Sequence, residues 1–240
     1  PKGSTIHAQE APHLTLDDVT LQTPGNQRTL VQKLSIAIRP GEGLMIVGQS
    51  GSGKSSLLRA IAGLWQSGEG TIYRPPPKGI LFLPQQPYML IGSLRAQLLY
   101  PNQDTSIGDA QLLEVLEKVK LTDLASRFGG LDLELDWEKV LSVGEQQRLA
   151  FARVLLARPR FAILDEATSA LDPANEAALY RQLQETGTTL VSVAHRASIL
   201  KYHTQVLELT GNCGWATCTA RRPAATPAEP ATSPPGRGLD

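Results

Sequence analysis

The chain is 240 residues long, 41% hydrophobic and 5% aromatic, with 23 Lys+Arg against 23 Asp+Glu. That length builds one sizeable domain or two small lobes on a shared core, and the zero net charge removes the global electrostatic footprint of a nucleic-acid binder or a polybasic membrane-surface protein. No apolar run reaches the ~18 residues of a membrane-spanning helix, and the two cysteines, Cys213 and Cys218, offer neither a disulfide framework nor paired zinc spacing, so they read as free thiols.

In chain order, residues 1–13 lack periodicity, start at Pro1 and carry no charged-then-apolar leader pattern. They read as a linker, and the chain as a piece of something longer. Leu14–Leu21 and Leu34–Ile38 alternate apolar and polar side chains around the turn-forming Pro24-Gly25-Asn26, which predicts a half-exposed antiparallel sheet. Leu44–Val47, Ile80–Leu83, Phe161–Leu164 and Leu190–Val193 are instead near-continuous apolar runs, the pattern of parallel strands covered on both faces.

Helical patterns occupy Ser56–Leu64, Asp109–Lys118 and Glu145–Ala157. The stretch between the second and third apolar runs is too long for one crossover, so a helical subdomain is expected over about residues 86–158. Residues 212–240 are rich in Pro and Ala and are expected to be disordered. The folded part is thus placed at residues 14–211, as an α/β protein with a mixed sheet, an N-terminal antiparallel β subdomain and an inserted α-helical subdomain.

Three motifs carry chemistry. Gly48-Gln49-Ser50-Gly51-Ser52-Gly53-Lys54-Ser55 matches G-x-x-x-x-G-K-[ST] and sits between a predicted strand and a predicted helix that opens at Ser56. Glycines there let the backbone curl until its N–H groups converge on phosphate oxygens, Lys54 neutralises phosphate charge, and the Ser55 hydroxyl is a ligand for Mg²⁺. Phe161–Leu164 ends in Asp165-Glu166, which presents two carboxylates at the carboxyl edge of a parallel sheet; Asp165 is the candidate magnesium ligand and Glu166 the candidate general base. Ser142 and Glu145 form a capping box around Val143-Gly144, and the same helix N-terminus suits an anion.

These motifs, with Ser169-Ala170-Leu171-Asp172 and His195, resemble in order and spacing the ATP-binding cassette over residues 14–211. The resemblance implies a P-loop nucleotide-binding domain that dimerises head to tail, with ATP held between the phosphate loop of one copy and the Ser142–Gln146 signature of the other. It implies that Gln85 reaches the magnesium and senses a transmembrane partner, that Asp172 lies in an inter-protomer loop, and that His195 contacts the γ-phosphate. Asp172 before Pro173 also reads simply as a helix N-cap.

Arg74-Pro75-Pro76-Pro77, Phe82–Met89, Gly92–Arg95 and Leu99–Pro101 are similar to the peroxisomal fatty acyl-CoA half-transporters and their bacterial relatives. In such proteins the domain follows six transmembrane helices, which implies an ATPase at the cytoplasmic face of a bacterial inner membrane or of an organelle such as the peroxisome. Pro87-Tyr88-Met89 is expected to be an exposed apolar groove for a helix of that membrane domain. Two positions depart from the family. Val143 replaces a signature glycine, and Thr23 stands where an adenine-stacking aromatic is expected, which leaves nucleotide affinity to the phosphates unless another aromatic, such as Tyr73 or Trp65, reaches the base. A non-transport cassette protein and a nucleotide-gated module with little turnover are the competing readings; residues 56–140 show no heptads of the coiled-coil insertion found in some of the former.

Overall fold

The computed structural model describes residues 4–220. The predicted antiparallel pair forms as β2 (Leu14–Gln22) and β3 (Thr29–Ile38), joined across Pro24–Asn26. Its apolar phase shifts partway along. Leu14 and Leu16 are buried, then Val19 and Leu21, because a bulge at Asp17-Asp18, with Asp18 at φ 50°, inserts the extra residue. Two further strands complete this sheet in the order β1-β5-β2-β3: β5 (Gly68–Arg74) is antiparallel to β2, and β1 (His7–Glu10) is parallel to β5.

The four apolar runs are β4 (Gly43–Gly48), β6 (Ile80–Leu83), β9 (Phe161–Asp165) and β10 (Thr189–Val193), all parallel as predicted, although β6 lies at the sheet edge and buries only Leu83 fully. They share a six-stranded sheet in the order β12-β11-β4-β10-β9-β6, where β11 (Gln205–Leu209) is parallel to β4 and β12 (Trp215–Thr219) is antiparallel to β11. Helix α1 (Lys54–Ala62) buries Leu57, Leu58 and Ile61 in one apolar cluster with residues of both sheets, including Leu21, Leu34, Ile46 and Ile163.

Between β6 and β9 lie α2 (Leu94–Leu99), α3 (Asp109–Lys118), α4 (Leu124–Arg127), α5 (Trp137–Val140) and α6 (Val143–Ala157). This is the predicted helical region, with one unforeseen feature: β7 (Ile91–Ser93) pairs antiparallel with β8 (Glu134–Asp136), and the fully buried Trp137 donates its indole N–H to Gly92 O at 2.7 Å. After β9 comes α7 (Pro173–Glu185).

The expected linker and tail need correction. β1 lies inside residues 1–13 and β12 inside 212–240. β1 is exposed along its whole length and β12 along almost all of it, so backbone pairing rather than side-chain burial holds them, and alternation of hydrophobicity had nothing to report. β12 is also tied to β3 through Trp215 Nε1 to Gln32 O at 3.0 Å. The remainder of the predicted disordered tail, 221–240, lies outside the described residues.

Candidate functional site

Parallel register brings three strand ends level. Asp165 on β9 pairs with Val193 on β10, and Val193 pairs with Ile46 on β4. The segments that leave these ends, Gly48 onward, Glu166 and His195, therefore emerge side by side at the carboxyl edge of the sheet, where ligands of open α/β sheets bind.

The loop from Gly48 to Gly53 is curled by glycines that nothing else could replace at two positions. Gly48 has φ 150°, and a Cβ there would lie 2.6 Å from Leu209 O and 2.8 Å from Ser52 Oγ. Gly53, at φ 101°, is the N-cap of α1 and supplies no capping side chain, so the first N–H groups of α1 stay free for an outside acceptor. Lys54 Nζ folds back onto the carbonyls of Gly48 and, at 3.1 Å, Gln49. The Ser52 hydroxyl is buried without a hydrogen-bond partner among the described residues. A loop with open backbone donors, an orphan hydroxyl and a cation folded onto its own carbonyls has the donor set of a phosphate site.

Across the loop, Ser55 Oγ donates to Asp165 Oδ1 at 3.2 Å. Burial pushes the Asp165 carboxyl above its usual range, the Ser55 hydroxyl pulls it down, and neighbouring Glu166 pushes it up again. Glu166 itself adopts φ 52°, sparsely populated for a side-chain-bearing residue, and is fixed there by its N–H to Val193 O at 2.9 Å. This places its carboxylate against His195 Nε2. Lys54, Ser55, Ser50, Glu166 and His195 line one cleft of about 340 Å³.

The remaining predicted residues lie elsewhere. Gln85 is exposed, its amide donates to Ser169 Oγ at 3.4 Å, and no hydrogen bond among the described residues joins it to Ser55 or Asp165. Ser142 caps α6 by accepting from Glu145 N at 3.2 Å, Glu145 returns the bond to Ser142 N at 3.1 Å, and Glu145 also pairs with Arg127. Gly144 packs close to Ala170 O. Asp172 caps α7 by accepting from Asn175 N at 2.8 Å, with Pro173 in the first turn, so the local reading of that residue holds. The Ser142, Gly144, Glu145 and Asp172 group stands apart from the cleft.

One feature escaped the sequence. Gln147, completely buried on α6, donates to Gln85 O at 2.8 Å and to Ser169 Oγ at 3.1 Å, and accepts from Ala170 N at 2.9 Å. It ties the helix behind the signature to the Gln85 loop and to the segment after Glu166. An aromatic does stand beside Thr23: Trp65, which lines the same cleft and donates its indole N–H to Gln22 O at 2.8 Å. The expected apolar groove is also only partly open, because Pro87 and Met89 are buried and Tyr88 alone is exposed, at 60%.

A family model described as ABC transporter matches residues 31–169. The chain belongs to the ABC transporter family. It is 57% identical, over 84% of its length and 31% of the relative's, to an uncharacterized ABC transporter ATP-binding protein of Synechocystis. It is 44% identical to the chloroplastic ABC transporter D family member 2 of Arabidopsis thaliana, over 87% of this chain and 36% of that protein. A lysosomal cobalamin transporter of Mus musculus is 43% identical over 83% of this chain and 35% of its own. A bacterial Atm1-family ABC exporter solved with ATP bound superposes with a TM-score of 0.76 at 25% identity, over 87% of this chain and 39% of that one. The chain thus spans about a third of the length of these relatives and is an ABC transporter ATP-binding domain.

Proposed function

We propose that this domain binds MgATP and hydrolyses it to ADP and phosphate, as the engine of a transporter whose membrane domain is fused upstream. Two copies act head to tail at the cytoplasmic face of a membrane. The observation that carries the reading is the cleft in which Lys54, Ser55, Glu166 and His195 converge beside Asp165.

In this account Lys54 leaves the loop carbonyls and turns to the β- and γ-phosphates, while the N–H groups from Gln49 to Ser56 and the Ser52 hydroxyl take phosphate oxygens. A hydroxyl and a carboxylate, Ser55 and Asp165, are hard oxygen donors that suit Mg²⁺, and Gln85 joins them once its amide leaves Ser169. When bound, the ion neutralises charge on the phosphate oxygens. Glu166 accepts a proton from the attacking water as the water oxygen bonds to the γ-phosphorus and the bond to the ADP oxygen breaks. His195, held by Glu166, donates to the γ-phosphate. Ser142, Gly144, Glu145 and Asp172 face the nucleotide of the second copy, which accounts for their separation from this cleft.

Light scattering with and without MgATP tests the assembly. Glu166→Gln dimerises with MgATP, whereas the double variant Glu166→Gln/Ser142→Arg, altered at a residue that does not line its own cleft, binds ATP and stays monomeric; equal dimerisation by both variants contradicts the head-to-tail arrangement.

A further inference from the structure

The cleft has one apolar end. Apart from its glycines, every side chain that lines it is polar or charged except Leu30 and Trp65. Leu30, on β3, packs against Gly53, since a Cβ there would lie 3.2 Å from Leu30 Cβ. Trp65 is supplied by the turn that follows α1. Helix α1 stops at Gly63, which has φ 87° and returns its N–H to Ala60 O, and the chain turns back so that residue 65 stands beside the end of β2. There the indole N–H is fixed on Gln22 O. The ring is thus anchored, half-buried, and part of the wall that continues from Lys54 and Ser55.

We propose that Trp65 is the base-contacting residue of this domain and replaces the aromatic that position 23 lacks. The inference rests on the nucleotide reading above and adds its base specificity. An anchored aromatic ring offers a π-face to a nucleobase. Its only N–H is already spent on Gln22 O, so it recognises the base by stacking and not by hydrogen bonds. Thr23, the neighbouring polar group, already accepts from Arg28 N at 3.0 Å. A contact of this kind favours larger ring systems and reads little of the exocyclic groups, so purine nucleotides bind ahead of pyrimidine nucleotides, and ATP and GTP bind alike.

Equilibrium binding of Mg²⁺-bound ATP, GTP, CTP and inorganic tripolyphosphate to the 240-residue chain tests this. Trp65→Leu, which keeps apolar packing and removes the ring, weakens ATP roughly tenfold, the scale of one base on one aromatic, and leaves tripolyphosphate within twofold. Trp65→Phe recovers most of the ATP loss. In the unaltered chain, ATP changes the tryptophan emission and tripolyphosphate does not. Equal weakening of ATP and tripolyphosphate, or unchanged ATP binding in Trp65→Leu, overturns the proposal. If Trp65→Leu does not fold, the emission response decides alone, and an identical response to both ligands overturns it. A chain that binds neither ATP nor tripolyphosphate overturns the nucleotide reading itself.

Discussion

Gln147 reaches from the first turns of α6 to the main-chain carbonyl of Gln85, 62 residues earlier, with its amide 2.8 Å from that oxygen. Its other amide atom accepts from Ala170 N, four residues past Glu166. A single fully buried side chain therefore binds together the signature helix, the loop expected to sense the membrane domain, and the segment that follows the candidate base.

Replacing that side chain with Leu leaves the Ala170 N–H and the Gln85 carbonyl without partners. Gln147→Leu should destabilise the domain by about 1–3 kcal/mol, the net worth of the two main-chain hydrogen bonds it loses, as measured by urea unfolding. A stability equal to wild type would show that these groups find water instead. In the complete transporter the same change should reduce transport more than basal ATP hydrolysis.

His203 gives a pH signature away from the cleft. It is buried between Ile199 O, 2.9 Å from Nδ1, and Ser192 Oγ, 2.8 Å from Nε2. Burial lowers its pKa to about 4, partly offset by the Ile199 carbonyl. Because the folded value lies below the unfolded one, the unfolded chain takes up a proton first as pH falls. Stability from this group is intact above the ordinary histidine value and is lost progressively between about pH 6.5 and 4, amounting to about 3 kcal/mol. Unfolding curves at pH 7 and 4.5 for wild type and His203→Gln should show a smaller acid loss in the variant; an equal loss would place the acid sensitivity elsewhere.

Tyr88 is the exposed member of the Pro87-Tyr88-Met89 segment and lines, with Pro87, Tyr100 and Arg153, a groove of about 210 Å³. Arg153 at its floor is buried, its guanidinium satisfied by the carbonyls of Gln97 and Tyr88 and lying over the Tyr100 ring. If a helix of the membrane domain docks there, Tyr88→Glu in the complete transporter should lower transport several-fold while ATPase activity changes little. Parallel loss of both activities would point to a folding defect instead.

The sequence made the buried parallel strands legible because apolar runs such as Phe161–Leu164 leave no doubt about burial on both faces. Caps were legible for a similar local reason: Ser142 with Glu145 and Asp172 with Pro173 act within one turn. β1 and β12 were not legible, since their exposed side chains carry no pattern and their pairing is made by backbone groups. Gln147 was missed because it acts through a contact, to Gln85 O, that only the folded chain brings together, and the choice between Tyr73 and Trp65 as the aromatic near Thr23 likewise waited for the bond of Trp65 to Gln22 O. Ser55 and Asp165 were each expected to hold magnesium, and the fold sets the one on the other, whereas the resting position of Gln85 on Ser169 was not expected.

If Glu166 is the base of an ATPase, its phosphate loop binds nucleotide independently of that carboxylate. Phosphate release and ATP binding measured side by side on wild type, Glu166→Gln and Lys54→Ala test it most directly. Wild type should turn over ATP, Glu166→Gln should lose about 10²–10⁴-fold in rate with ATP binding retained, and Lys54→Ala should lose binding. Turnover by Glu166→Gln at the wild-type rate would contradict it.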